Sequence, residues 1–170
     1  MLCLAAAGCA YTREPVYPAD IRTVAVPIFE NRSTYRDVQF DLTEALIKQI
    51  ELRTPYKVVS PELADTVLRG SVVHVSQNVL SRRRAGGLPQ ELEMQITAHL
   101  EWTDVRSGNV LRSRRGLTAT GRYIPATPVG QPLEFARHAA VEHLAQSIVD
   151  LMRDDWGPDG GDAADAEAAQ

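Results

Sequence analysis

Residues 91–103, Glu-Leu-Glu-Met-Gln-Ile-Thr-Ala-His-Leu-Glu-Trp-Thr, place an apolar side chain at every even position from Leu92 to Trp102 and a polar one at every odd position. Side chains of a strand point alternately to opposite faces, so this unbroken period of two predicts a long β-strand with one dry face and one wet face. The other elements must cover the dry face. Something else must meet the wet one.

Downstream, Asp104-Val-Arg-Ser-Gly-Asn109 supplies hairpin chemistry, and Val110–Tyr123 reads as the next antiparallel strand. Upstream, Thr66–Leu80 is a third long strand whose apolar residues fall in both registers, so its facing is not fixed by pattern. Ser81–Gln90, with Gly86-Gly87 and Pro89, is the turn between them. Earlier still, Ile21–Pro27 is a strand ended by proline, and Phe29–Thr34 reads as a loop with Ser33 or Thr34 as helix cap. Arg36–Arg53 repeats apolar residues at Val38, Leu42, Ala45, Leu46 and Ile50, the spacing of an amphipathic helix. Tyr56–Ser60 is a second short strand, which makes a βαβ unit with a parallel pair and a right-handed crossover. Pro61–Asp65 suggests one helical turn. After Pro125 and Pro128, Leu133–Asp154 carries a stripe of Leu133, Ala136, Ala140, Leu144, Ile148, Leu151 and Met152, a second amphipathic helix that Trp156-Gly157-Pro158 ends.

The order β-α-β-β-β-β-α, with two helices available for one dry face, predicts an α+β two-layer sandwich: a mixed sheet of four to five strands with both helices on one side. A chain of 170 residues with 44% hydrophobic content supports one such core. The net charge is -4, and residues 157–170 hold four acids and no base, so the rest is balanced. That balance excludes a global nucleic-acid-binding charge.

The first residues end in Ala7-Gly8-Cys9 after a small apolar run, which looks like a bacterial lipobox whose Cys9 thiol carries lipid. Ala6 stands where leucine is usual, no basic segment precedes it, and eight residues fall short of a full leader, so translation is expected to start upstream. An ordinary clipped signal peptide or a chance Ala-Gly-Cys is the alternative. The two cysteines, Cys3 and Cys9, both lie here, which leaves the folded domain without a disulfide framework or thiolate metal site. A multiply acylated cysteine suffices to hold a domain on a membrane, and no other apolar run has spanning length. The expected organisation is a signal remnant at 1–8, a lipidated tether at 9–20, the α+β domain at 21–156 and a disordered acidic tail at 157–170.

Pairing Asp104 with Asn109 predicts Trp102 opposite Leu111, Ile96 opposite Leu117 and Met94 opposite Ala119 on the dry side. On the wet side it sets Glu101 against Arg112, His99 against Arg114 and Glu91 against Arg122, charge pairs that would make a solvated surface. Arg82-Arg83-Arg84 has no acid in its own turn and lies at the Arg122 end of the meander. Together these four guanidinium groups suit a phosphate or sulfate, which the planar fork binds in bidentate fashion. A solvated loop is the other reading. The histidines (His74, His99, His138, His143) form no HExxH, and G-x-S-x-G, P-loop and G-x-G-x-x-G patterns are missing, so no enzyme activity is expected.

Gly8-Cys9-Ala10-Tyr11, Ile21–Arg32, Leu42–Ile50, Val58-Val-Ser60, Ala64–Gly70 and Thr103–Leu111, taken in this order and spacing, resemble the LptE family of lipopolysaccharide-assembly lipoproteins. The resemblance implies a lipoprotein on the periplasmic side of the bacterial outer membrane. It implies a plug inside the β-barrel protein LptD, with lipopolysaccharide bound through basic residues of the sheet and its loops. Here Arg82, Arg83, Arg84 and Arg122 are the positions available, no cofactor is implied beyond the lipid on Cys9, and no nucleic acid. The opening βαβ with Val24–Asn31 also resembles the N-terminal domain of TolB and the secretion lipoprotein CsgG, which would make the chain an envelope scaffold without a lipid ligand. Three meander strands and one closing helix favour the LptE-like architecture.

Overall fold

In a computed structural model, the structure describes residues 17, 20–82, 89–124 and 133–153, with backbone alone at Arg82, Pro89 and Gln90. The elements are β1 (Thr23–Ala25), β2 (Glu30–Asn31), α1 (Val38–Arg53), β3 (Lys57–Val58), a 3-10 turn (Pro61–Leu63), β4 (Thr66–Arg82), β5 (Pro89–Asp104), β6 (Val110–Tyr123) and α2 (Leu133–Leu151). Among the described residues they form one mixed sheet in the order β3-β1-β4-β5-β6, with β2 also on β4. The α+β class, the parallel β1–β3 pair across α1 and the antiparallel meander agree with the sequence expectation.

The strand count is six instead of four to five. The extra strand is β2, expected to be loop, which pairs parallel with Ser71–Val72 of β4. Nothing in Glu-Asn favours a strand locally; the neighbouring backbone makes it one. Helix α1 begins at Val38, and neither Ser33 nor Thr34 caps it. Asp37 holds the N-cap position at φ 67 without a side-chain cap bond, a left-handed conformation that aspartate tolerates better than most residues. Ser33 instead closes a turn on Asn31, whose Oδ1 accepts from its N–H at 2.9 Å and from its hydroxyl at 2.7 Å.

Of the six even positions from Leu92 to Trp102, all but the half-buried Leu92 are buried, and the odd ones are not. Helix α1 contributes Val38, Leu42, Leu46 and Ile50 to the core, all fully buried, and burying each such side chain stabilises by about 1.5–3 kcal/mol. Helix α2 presents Ala136 and Ala140 to β6, and these small residues let its backbone come down onto Gly121. Thr43 stitches the layers: its hydroxyl accepts from the Phe29 N–H at 3.1 Å and donates to the Gln39 carbonyl at 2.7 Å.

The register of β6 corrects the expected pairing. Thr103 does face Val110, but two bulges follow, each adding one residue to β6. Between them the phase is inverted, so Arg112 opposes Trp102 and Arg114 opposes Leu100, on the helix side of the sheet. The second bulge, at Arg115 and Gly116 opposite His99, restores the parity; Gly116 takes the left-handed φ of 68 that such a bulge requires. Leu117, Ala119 and Gly121 therefore still face inward, opposite Ala98, Ile96 and Met94. Arg122 opposes Glu93 in place of Glu91, and Glu101 faces Ser113 in place of Arg112. A third bulge, between Val72 and His74, explains why β4 is apolar in both registers: its inward set runs Leu68, Val72, then Val75.

At the opposite end Asp65 ties three elements together. Its carboxylate accepts from the Thr23 hydroxyl at 2.9 Å, from the Arg22 and Thr23 N–H groups at 3.1 Å, and from Arg106 at 2.7 Å. The Thr23 hydroxyl most of all, then the Arg22 N–H, holds the Asp65 carboxyl below the usual carboxylate range. With the folded-state pKa below the unfolded value of about 3.9, its stabilising contribution is complete at neutral pH and lost as pH falls through the folded-state pKa. Asp65→Asn is therefore expected to flatten the acid limb of the stability curve. Urea denaturation between pH 3 and 6 measures this, and identical slopes in both proteins would remove Asp65 from the account.

Candidate functional site

The face of the β4–β5–β6 meander opposite the helices is polar from Asn78 and Glu93 to Arg69 and Glu101, and turns apolar in its last row, where Val67 and Val110 flank Thr103. From one end, Asn78 opposes Glu93 and Glu93 opposes Arg122; Ser76, Gln95 and Thr120 follow, then His74, Thr97 and Thr118. Short-range bonds join the rows: the Thr97 and Thr118 hydroxyls lie 3.0 Å apart, and Asn78 donates to Gln95 at 3.4 Å. These side chains satisfy one another at the surface and leave the sheet rigid and wettable.

Towards the middle, the bulge and the start of β4 create a shallow depression of about 320 Å³. Its charged and ring-bearing lining is Glu30, Arg32, Arg69, His99, Glu101 and Arg115, with the Glu101 carboxylate on the residue directly opposite Arg69. Strand β2 brings Arg32, which is occupied by Glu30 at 2.9 Å. Arg69 and Arg115 form no ion pair among the described residues. His99 Nδ1 accepts the Gly116 N–H at 2.9 Å, so in the neutral ring the proton sits on Nε2, which then acts as a donor. The same bond pins the bulge that exposes Arg115. Two unpaired guanidinium groups beside an imidazole donor suit an oxyanion or a partner's carboxylate.

Of the residues singled out from sequence, Arg122 lies on this face with Nε 3.5 Å from Glu93 Oε2, an exposed pair of little energetic weight. Arg82 is known by its backbone, paired with Pro89 at the hairpin end of β4 and β5. Along the strand it stands four residues from Asn78, the β4 residue in Arg122's row, roughly 13 Å at strand rise. Arg83, Arg84 and Cys9 lie outside the described residues. The sequence reading missed Arg69 and Arg115. The available signal was the polar register that Arg69 shares with Ser71, opposite Glu101 and His99; the bulge that turns out Arg115 left no such trace. Histidine His143 is tied by Nδ1 to the Thr120 carbonyl at 2.9 Å, on the helix side. No helix among the described residues is long and apolar enough to cross a membrane.

No curated protein matches the chain at a significant level. Among solved structures, it is similar to an uncharacterized lipoprotein B from Nitrosomonas europaea (19% identity, 82% of this chain and 86% of that one, TM-score 0.47). The PelC dodecamer from Paraburkholderia phytofirmans is similar at 17% identity, 79% and 93% coverage and a TM-score of 0.46. Lipoprotein GNA1162 from Neisseria meningitidis follows at 13% identity, 76% and 96% coverage and a TM-score of 0.46. At such scores these likenesses carry no functional weight. The decisive match is to a family model: residues 21–155 match LptE, lipopolysaccharide-assembly. That span takes in every strand and both helices, and the chain belongs to the LptE family of lipopolysaccharide-assembly lipoproteins.

Proposed function

We propose that this protein is a non-catalytic outer-membrane lipoprotein, anchored through lipid on Cys9, that lodges as a plug in an LptD-type β-barrel and assists lipopolysaccharide assembly at the cell surface. The observation that carries this reading is the uncovered polar sheet face behind a helical layer, because the lumen of an outer-membrane barrel is itself polar and water-lined. A half-wet sandwich presents such a wall with the polar rows that run from Asn78 to Ser71. Family membership favours this over a scaffold of the TolB or CsgG kind, which would have no lipid ligand.

Affinity purification of the tagged chain from its own envelope, with mass spectrometry, is the test. The expected result is a large β-barrel protein recovered in stoichiometric amount; recovery of secretion components without a barrel would favour the scaffold reading instead. Arg82, Arg83, Arg84 and Arg122 are the proposed contacts to lipid phosphates. Replacing Arg82, Arg83 and Arg84 by alanine is expected to weaken binding of phosphorylated lipid A roughly tenfold at low salt, since charge-assisted hydrogen bonds are worth about 1.5–3 kcal/mol. The melting temperature is expected to stay unchanged. Equal binding by the triple variant would reduce the cluster to a solvated turn.

A further inference from the structure

The two edges of the sheet are built differently, and the difference identifies an interaction surface. On its outer edge β4 is paired only through Val72. Strand β1 covers Thr66–Val67, β2 covers Ser71–Val72, and the last bond runs from the Arg32 N–H to the Val72 carbonyl at 2.8 Å. The chain then leaves for α1. From His74 to Ser81, no strand among the described residues pairs with β4 on that side, while β5 pairs with it on the other.

Sheets protect free edges with charges, prolines and bulges, because a row of unpaired N–H and C=O groups is a template for another strand. Strand β6, the far edge, has such protection: Arg112, Arg114, Arg115 and Arg122 along its length and two bulges within it. The segment His74-Val-Ser-Gln-Asn-Val-Leu-Ser81 has no lysine, arginine, acid or proline, and its own bulges fall at its ends, between Val72 and His74 and at Leu80 and Ser81, so His74–Val79 runs in unbroken register. Val75 packs against the core, but the other two apolar residues are offered to solvent, with Val79 42% and Leu80 44% exposed. An edge of this composition is suited to pairing, and an added strand would both satisfy its backbone and cover Val79 and Leu80.

We infer that residues 74–81 of β4 receive an extended segment of the envelope partner, added as a further strand at this edge. The inference rests on the proposed partnership with a β-barrel. A closed barrel wall has no free strand edge, so the donor is a loop or terminal segment of the partner. It is some five or six residues long, about the usual strand length, with alternate apolar side chains and no proline within the paired stretch. This is a backbone-led contact, separate from any contact made by the arginines of the open face.

Hydrogen exchange on the free chain and on the co-purified complex tests it. In the free chain the outward amides of residues 74–81 are expected to exchange quickly, and in the complex to slow by about 100-fold or more. Val79→Lys, at an exposed position, is expected to leave the melting temperature unchanged and to reduce recovery of the partner about tenfold by charging the edge. Failure of the unaltered chain to recover a barrel overturns the partnership and this inference with it. Recovery of the barrel with these amides still fast overturns the inference alone. Slow amides in the free monomer mean that the chain already covers its own edge. Protection that rises with concentration of the free chain, with a dimer in sedimentation, assigns the edge to a second copy instead. Either result refutes the inference.

Discussion

Trp102→Ala is expected to destabilise the protein by about 3–5 kcal/mol, the cost of removing a large buried ring that its neighbours cannot replace. Trp102 is 1% exposed and lies at the end of the alternating strand, opposite Leu68 on one side and Arg112 on the other. Its ring centroid is 5.8 Å from that of Tyr56, which meets Tyr17 edge-on at 5.5 Å. Loss of the indole therefore opens the seam where the first described residue, the end of α1 and the sheet converge. The companion substitution separates packing from polarity. The indole Nε1 is buried without a hydrogen-bond partner among the described residues, and an unsatisfied donor carries a desolvation penalty of about 1–3 kcal/mol. Trp102→Phe keeps most of the ring and removes that donor, so its cost is expected to be far below that of alanine. Urea denaturation followed by far-UV circular dichroism measures both. Equal losses for Phe and Ala would show that the nitrogen is bonded.

Gly121→Ala is expected to cost about 2–3 kcal/mol through overpacking against main chain. A Cβ at Gly121 would overlap the Ala136 carbonyl oxygen and stand 2.7 Å from the Ala140 nitrogen. Neither atom belongs to a side chain that can rotate away, so α2 must lift from β6. Gly108 is the control. It has φ 70 and nothing within 4 Å of a built Cβ, so alanine there meets only the left-handed backbone penalty of about 1–2 kcal/mol. A Gly121 variant no less stable than the Gly108 variant would mean that α2 is not seated on β6 at this point.

These two positions also show why some of the fold was legible. Trp102 belongs to a strand that alternates without a lapse, and any register of its neighbours leaves its even side chains on one face. The stripes of α1 and α2 were equally legible, because a helix buries a face set by its own period. Strand β2 was not. Two residues, Glu30 and Asn31, carry no strand preference, and they are extended because Ser71–Val72 offers them a ladder. The orientations of Arg112 and Arg114 were misread for a related reason: the pattern in Val110–Tyr123 cannot reveal that one residue is skipped, then another. The two errors cancel, so the inward Leu117 and Ala119 were right and the arginines between the bulges were not.

The same limit governs the candidate site. A run of three arginines such as Arg82, Arg83 and Arg84 is conspicuous in a sequence; a pair assembled by the fold is not. Arg69 and Arg115 are 46 positions apart in sequence and line one depression only because the β5 strand lies between them and the Gly116 bulge turns the chain. By itself, the sequence determined the two-faced sheet, the two amphipathic helices and their placement on one side, because each follows from a local period. The tertiary structure alone decided the register, the second short parallel strand, the arginines that share the open face and the edge of β4 left unpaired. Each of those depends on where distant backbone offers or withholds hydrogen bonds, and a one-residue bulge is enough to change the answer.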